Sequence, residues 1–326
     1  MNIRTALPDD KFKILSLLNE VFEPQQYFAW KRDESYWKWK YDSNVFGTPI
    51  IQVVEHNNTI IASDTLWPWK FSCRGHILKV YQPCDTVVHK DYRGKDLFSR
   101  LVKSRIDKLK RENAPFAYNF PNNQSLKNNL NHGWHYLANI TWLLRPLNMF
   151  GIISNAGRTD QTISVKIKEE HIADWDSCYS ICDNRIFYYG FITTYHEKGF
   201  FEWRYKSHPF FDYGMATVEK GRNKACAIFS VNQKNKSRGM VVVDFLGDKS
   251  LSYVLFKKLI KIARIYNVDY LTTIYNPHFN MDSLWKQGFV KIRNKNMVVL
   301  PLDFSLENKM IKYSNWSIVG GMHDSL

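Results

Sequence analysis

Apolar residues recur along the chain in two rhythms. Phe98, Val102, Ile106 and Leu109 are spaced by four, four and three, the one-sided stripe of an amphipathic helix. KILSLLNEVF predicts an earlier helix, with Asp9 or Asp10 placed to cap it. Elsewhere the rhythm belongs to strands. IIQVVE and TIIASDTLW flank HNN as a hairpin, VYQPCDTVVH and PFAYNF predict two more strands, and a short helix ends at His132-Gly133 before the strand TWLLRPL. The order then restarts, with MVVVDFLGD as strand, LSYVLFKKLIKIARIY as helix and LTTIYN as strand. Strands interleaved with helices predict a mixed α/β fold.

The restart is a repeat. YWKWKYDSNVF (36–46) returns as FFEWRYKSHPF (200–210), LKNNLNHGWHYL (126–137) as MDSLWKQGFVKI (281–292), and LLRPLN (143–148) as VVLPLD (298–303). Gly133 to Gly288 and Pro146 to Pro301 are both offset by 155, while Trp39 to Trp203 is offset by 164, so the second copy is nine residues shorter between those anchors. Two domains follow, 1–150 and 151–326, with the boundary in the polar stretch GIISNAGRTDQT. Trp39 and Trp203, recurring in the repeat, read as packing anchors.

Composition narrows the classes. Of 326 residues, 44% are hydrophobic and 23% charged, a globular balance. No apolar run approaches the roughly 20 residues of a membrane span, and MNIRTALPDD offers no apolar signal core, so a cytoplasmic protein is the expectation. Five cysteines fit a reducing compartment rather than a disulfide scaffold. Cys178 and Cys182 share a helix face, but without a second Cys/His pair they read as packing, and His89, His132 and His135 lack ligand spacing, so no metal is expected. The net charge of +14 attracts anions, and it concentrates: residues 90–113 hold nine Lys/Arg against four acids.

That excess surrounds KDYRGKDLFSRL, residues 90–101, a basic turn that opens directly into the predicted helix. A helix N-terminus leaves N–H groups without acceptors and carries about half a positive charge, which suits a phosphate. The turn resembles the Q/R-x-x-G-x-G/A signature of the GNAT superfamily of acyl-CoA N-acyltransferases, falling here on Arg93, Gly94, Lys95, Asp96, Leu97 and Phe98. The order of elements resembles its tandem-domain members along nearly the whole chain. This implies two tandem GNAT-like domains, each a mixed, mostly antiparallel sheet flanked by helices, with one acyl-CoA site in residues 1–150. VVVDFLGDKSLSYV in the second copy has no basic turn.

The same resemblance implies that the amides of Val87 and Val88 bind the pantetheine arm, and that Asn122, with Ser125 and Gly133-Trp134 following, bonds the pantetheine or its adenylate end. The chain departs from the pattern at three positions. Asp96 replaces a glycine and Phe98 a small residue; a carboxylate close to a pyrophosphate costs about 4 kcal/mol for unit charges about 4 Å apart at intermediate dielectric. Pairing with Arg100, or a side chain turned away to cap the helix, would soften that cost. Asn129 stands where many relatives carry a tyrosine that protonates the leaving thiolate, which leaves Tyr118, Tyr92 or water for that task.

Acyl transfer to an amine needs a neutral amine and a polarised carbonyl. Asp85 is the candidate base, sharing a strand face with Val87 and His89, and Asp244, its repeat partner at an offset of 159, is a candidate to hold the amine from the second domain; for both, a structural hydrogen bond is the other reading. Trp67 and Trp69 offer rings for stacking on a sugar or base, or for the core. YWKWKY, the Y-R-G-K loop and the F-P-N-x-x-S segment resemble N-acyltransferases of bacterial surface-polysaccharide pathways. This implies a nucleotide-linked amino sugar, such as a dTDP-amino-dideoxyhexose, as acceptor, and acetyl-CoA or a small hydroxyacyl-CoA such as 3-hydroxybutyryl-CoA as donor. No nucleic-acid partner is expected. Other readings are acetylation of a protein or small amine, a Fem-type aminoacyl-tRNA transferase, or a non-catalytic binding module.

Overall fold

The computed structural model describes residues 1–22, 32–153, 162–182, 191–279 and 281–323; most of the expected boundary stretch lies outside them. The chain forms two compact units. One comprises Met1–Ser72, His76–Ala138 and Asn296–Asn315, the other Cys73–Gly75, Asn139–Lys295 and Trp316–Leu326. The compact units thus do not coincide with contiguous halves of the chain.

In the first unit the strands are β1 (Asn2–Thr5), β2 (Ile50–His56), β3 (Thr59–Cys73), β4 (His76–Val88) and β5 (Phe116–Asn119). β1, β2 and β3 pair antiparallel, with Ile50 opposite Leu66 at the far end of the hairpin. β4 meets β5 in parallel at Tyr81–Ala117 and runs on to Val88. The far side of β5 is covered antiparallel by Val298–Pro301, the end of the late strand Val290–Pro301. The helix Leu97–Arg111 packs Leu97 and Leu101 on Val54, Ile61 and Ala62, with Val88 and Tyr92 against the same cluster. It is also pinned by charge: Arg105 is buried against Asp64, which also accepts from Thr86 (2.6 Å) and Gln52 (2.8 Å). Removing one member of such a buried group leaves a charge uncompensated, at a cost of about 3–5 kcal/mol.

The second unit repeats this order. After β6 (His135–Pro146), β7 (Thr162–Ser164) and β8 (Thr193–Thr194) come β9 (Tyr213–Lys220), β10 (Asn223–Lys234), β11 (Ser237–Gly247) and β12 (Tyr270–Ile274). β9, β10 and β11 pair antiparallel, β11 and β12 in parallel, and β12 pairs antiparallel with Trp142–Pro146 of β6. The helix Ser252–Ile265 follows β11 as Leu97–Arg111 follows β4. Even irregularities recur: Lys38–Asp42 and Glu202–Lys206, inside the two aromatic motifs, are both single π-helical turns.

The nine missing residues can now be located. The offset falls from 164 to 159 across the second hairpin, because β10–β11 is shorter than β3–β4. It falls by the last four at one point. In the first copy Arg93 to Asp96 separate the short 3-10 turn Lys90–Tyr92 from its helix; in the second the turn Lys249–Leu251 runs straight into Ser252–Ile265. The basic turn is absent from the second copy.

Candidate functional site

The basic turn is built from its flanks inward. His89 follows β4 and accepts the Asp91 N–H on Nδ1 at 3.3 Å, closing the turn Lys90–Tyr92, and the Arg93 N–H donates to the Lys90 carbonyl. Arg93 is extended, Gly94 has φ +77°, Asp96 has φ +56°, and the helix begins at Leu97. Gly94 is required by that dihedral alone, because a Cβ there would meet nothing within 4 Å. Asp96 occupies the left-handed conformation a glycine takes without cost; aspartate is among the few other residues that visit it. Its side chain makes no capping bond, which removes the N-cap explanation of this residue. Arg93, Gly94, Lys95 and Asp96 are all exposed, while Leu97 is buried and Phe98 half-buried beneath them.

The side chains that hold the turn do not compete for an anion. Tyr92 places its hydroxyl 3.2 Å from His56 Nδ1, and the Lys95 ammonium lies 4.7 Å from the Tyr92 ring. Val87, buried, and Val88, half-buried, end β4 just ahead of the turn. Asn122 caps the helix Asn123–Asn131, its Oδ1 accepting from the Ser125 N–H and hydroxyl at 2.8 Å each. The Asn-x-x-Ser spacing therefore has a local structural cause. Tyr118 is fully buried, edge-on to Phe71, and Asn129 is buried with its carbonyl accepting from His132 and Trp134.

Asp85 takes a different part from the one its strand position suggested. It lies within β4 with φ +49°, a left-handed conformation that few residues other than glycine, asparagine and aspartate adopt. Its carboxylate accepts from Tyr41 (2.5 Å), Lys40 (2.8 Å) and Tyr36 (3.0 Å), and Arg32 lies 3.6 Å away. Burial alone would raise its pKa, but the Lys40 ammonium and the Arg32 guanidinium outweigh that and hold the carboxyl well below the usual carboxylate range. The same pairing holds Lys40 charged despite complete burial. A group that keeps its charge so firmly cannot accept a proton near neutral pH, so Asp85 is a counter-ion to Lys40 and not a general base. Tyr36, Lys40 and Tyr41 of the YWKWKY motif all serve this clamp.

Trp67 and Trp69 are likewise corrected. Both are fully buried, 5.0 Å apart and tilted, and the Trp67 indole N–H donates to the Lys40 carbonyl at 2.8 Å. They hold the clamp's helix to β3 and present no face for a sugar.

Asp244 is buried at the corresponding point of β11. It accepts from Tyr205 (2.8 Å) and from the Phe245 N–H (2.9 Å), with His196 Nε2 at 3.5 Å. His196 Nδ1 in turn meets Cys182 Sγ at 3.1 Å. Burial alone would lower the pKa of His196, but Cys182 and Asp244 overturn this and push it up to about 10. Sequence reading missed this trio because its members are far apart in the chain. The signal lay in the repeat: at the offset of 164, His196 matches Arg32 and Cys182 matches Leu18. Among the described residues no group of three or more His, Cys, Asp or Glu is arranged to hold a metal ion, and no helix is long and apolar enough to cross a membrane.

Comparison with known proteins agrees with this geometry. Residues 2–135 match the family model of the acetyltransferase (GNAT) domain. No curated protein matches the chain at a significant level. Among solved structures, a GCN5-related N-acetyltransferase from Anabaena variabilis is similar over 91% of this chain and 72% of its own, at 11% identity and a TM-score of 0.64. A protein of unknown function from Enterococcus faecalis, described as a probable N-acyltransferase, is similar over 93% and 73%, at 10% identity and a TM-score of 0.61. N-myristoyltransferase from Saccharomyces cerevisiae with bound myristoyl-CoA is similar over 91% and 82%, at 15% identity and a TM-score of 0.58. These likenesses establish the fold along most of the chain, and the match to the acetyltransferase (GNAT) domain falls on its first part, residues 2–135.

Proposed function

We propose that the chain transfers an acetyl or small hydroxyacyl group from its CoA thioester to the amine of a nucleotide-linked amino sugar, by direct attack of the amine. The observation that carries the donor half is the exposed turn Arg93–Asp96 at the start of a fifteen-residue helix, present in the first copy and deleted from the second. Its N–H groups and the Arg93 and Lys95 charges suit a pyrophosphate, and the amides of Val87 and Val88 lie where β4 delivers a pantetheine arm to that turn. Asn122 adds its amide from the next helix. In this reading the copy 1–150 carries the donor site and the copy 151–326 contributes to the acceptor site.

The sugar half is supported by the charge of +14, which favours a pyrophosphate-bearing acceptor, and by the resemblance of the Y-R-G-K and F-P-N-x-x-S segments to polysaccharide-pathway enzymes. The clamp accounts for YWKWKY as a structural motif.

Titration with CoA tests the donor site first. Arg93→Ala is expected to weaken CoA binding about 10- to 100-fold, the loss of charge-assisted hydrogen bonds worth about 1.5–3 kcal/mol. Equal affinity in variant and parent would remove the loop from the site. A panel of dTDP-amino sugars with acetyl-CoA and 3-hydroxybutyryl-CoA, followed by thiol release, then tests the acceptor; turnover only with simple amines or peptides would reassign it.

A further inference from the structure

The second unit holds a side-chain trio that the transfer chemistry above does not use. Cys182 follows the helix Trp175–Ile181, His196 follows β8, and Asp244 lies in β11. They meet in series: Sγ to Nδ1 at 3.1 Å, then Nε2 to Oδ2 at 3.5 Å. A nucleophile bonded to a base, whose other nitrogen faces an orienting carboxylate, is the arrangement that makes thiols and hydroxyls reactive in acyl transfer, with looser contacts usual before substrate binds. His196 is further fixed by Phe201, stacked on it at 5.1 Å and 10° between planes. Asp244 is held by Tyr205 and its own neighbour's N–H, so it orients without moving.

The trio opens on a pocket. Cys182, His196 and Asp244 line it together with Thr193, Asn276 and Ser317, and its volume is about 20 Å³, little more than one water's worth. Thr193 and Ser317 bring hydroxyls to the wall; Ser317 Oγ accepts from the Asn276 amide at 3.0 Å, which leaves its own proton to donate. Cys182 is half-buried, whereas Cys73, Cys84, Cys178 and Cys226 are buried. The repeat supplies an internal contrast. Where the second copy has Cys182 and His196, the first has Leu18, fully buried in its core, and Arg32, paired with Asp85. Two of the three positions differ between the copies: an apolar side chain and a permanent cation stand in the first where a thiol and an imidazole stand in the second.

We propose that Cys182, His196 and Asp244 form a second acyl-handling centre, which takes a two-carbon acyl group from a small thioester onto the Cys182 sulfur. His196 already holds the proton of the thiol, and Sγ attacks the thioester carbonyl as the thiolate paired with that imidazolium. The carbon–sulfur bond to the leaving thiol then breaks, and His196 returns the proton to that thiolate. The products are S-acyl Cys182 and one free thiol, with nothing oxidised or reduced. Hydroxyls of Thr193 and Ser317 face the carbonyl oxygen as charge develops there. The small pocket selects acetyl over longer chains. An amine that later attacks the S-acyl group regenerates the thiol.

The test uses the full-length protein and S-acetyl-N-acetylcysteamine, a thioester with no nucleotide, so that it does not depend on the CoA turn. Intact mass and peptide mapping follow the acetyl group, with glutathione as the reference thiol. The expected result is acetylation of Cys182, about 100-fold or more faster than glutathione at neutral pH, absent in Cys182→Ser and slowed about 100-fold in His196→Gln. The hexanoyl thioester should react more slowly than the acetyl one. If Cys182 in the parent protein reacts no faster than glutathione, or the label falls on another residue, the centre is an ordinary buried contact and the proposal fails. The parent measurement decides this even if His196→Gln does not fold. A folded His196→Gln that reacts as fast as parent would equally overturn it.

Discussion

Asp85 and Asp244 stand at one position of the repeat, each approached by a tyrosine from the same motif, Tyr41 at 2.5 Å and Tyr205 at 2.8 Å. Their other neighbours differ. Asp85 has Lys40, Arg32 and Tyr36; at the matching positions Asp244 has Arg204, His196 and Phe200. Arg204 turns its guanidinium to the carbonyls of Gly321 (3.1 Å) and His323 (2.8 Å), leaving the imidazole to face the carboxylate. The same backbone frame therefore holds a permanently charged clamp in one unit and a titratable trio in the other. The basic turn divides them in the opposite sense, since only the unit with the clamp keeps it. Charge that is locked serves architecture, and charge that can move serves chemistry.

The contrast is broken most directly at the clamp. Lys40→Met leaves Asp85 buried without its ammonium and should cost about 3–5 kcal/mol of unfolding free energy. Arg204→Met removes bonds to backbone carbonyls and should cost less, about 1–3 kcal/mol. Urea denaturation of both variants checks this. Equal losses would mean that the two basic residues do the same work and that the clamp is no special feature of the first unit.

The pH dependence separates the two aspartates further. His196 has a folded pKa near 10 against about 6.5 when unfolded, so its contribution to stability is complete below about pH 6.5 and is lost as pH rises toward 10. Asp85 has a depressed folded pKa against about 3.9 when unfolded, so its contribution is complete above about pH 4 and is lost only in acid. Unfolding free energies measured from pH 6 to 10 should therefore decline in the parent by on the order of a few kcal/mol, and His196→Gln should flatten that decline. A parallel decline in both proteins would place the titration elsewhere.

Much of the frame behind these comparisons was legible in the sequence. The stripe Phe98, Val102, Ile106 and Leu109 located the long helix, and three echoes in fixed order revealed the repeat, because both signals are local or periodic. What stayed hidden depends on contacts between distant residues. Asp85 looked like a base because alternation along a strand says which face a side chain takes and nothing of a lysine 45 residues away that reaches it. Trp67 and Trp69 looked like a stacking platform because an aromatic run reads alike in a core and at a cleft. Part of the hidden site could have been found by aligning the copies residue by residue. That alignment sets His196 against Arg32, and it shows the second copy losing its last four residues in the turn Arg93–Asp96.

The smallest expected effect concerns that turn. Asp96 holds a left-handed backbone at +56°, so Asp96→Gly relieves about 1 kcal/mol of strain while adding about 0.5–1 kcal/mol of chain entropy to the unfolded state. The two nearly cancel, and the melting temperature should stay within a degree or two of parent, on the order of 0.5 kcal/mol at most. CoA affinity, by contrast, should rise, because a carboxylate with no helix-capping task is removed from beside the place where a pyrophosphate would sit; about tenfold is the upper bound for an exposed charge screened by salt. Tighter binding at unchanged stability would assign the aspartate to tuning the turn. Weaker binding would mean that Asp96 orders Arg93 and Lys95 for the ligand, and that the departure from glycine is itself part of how the first unit, and not the second, holds an anion.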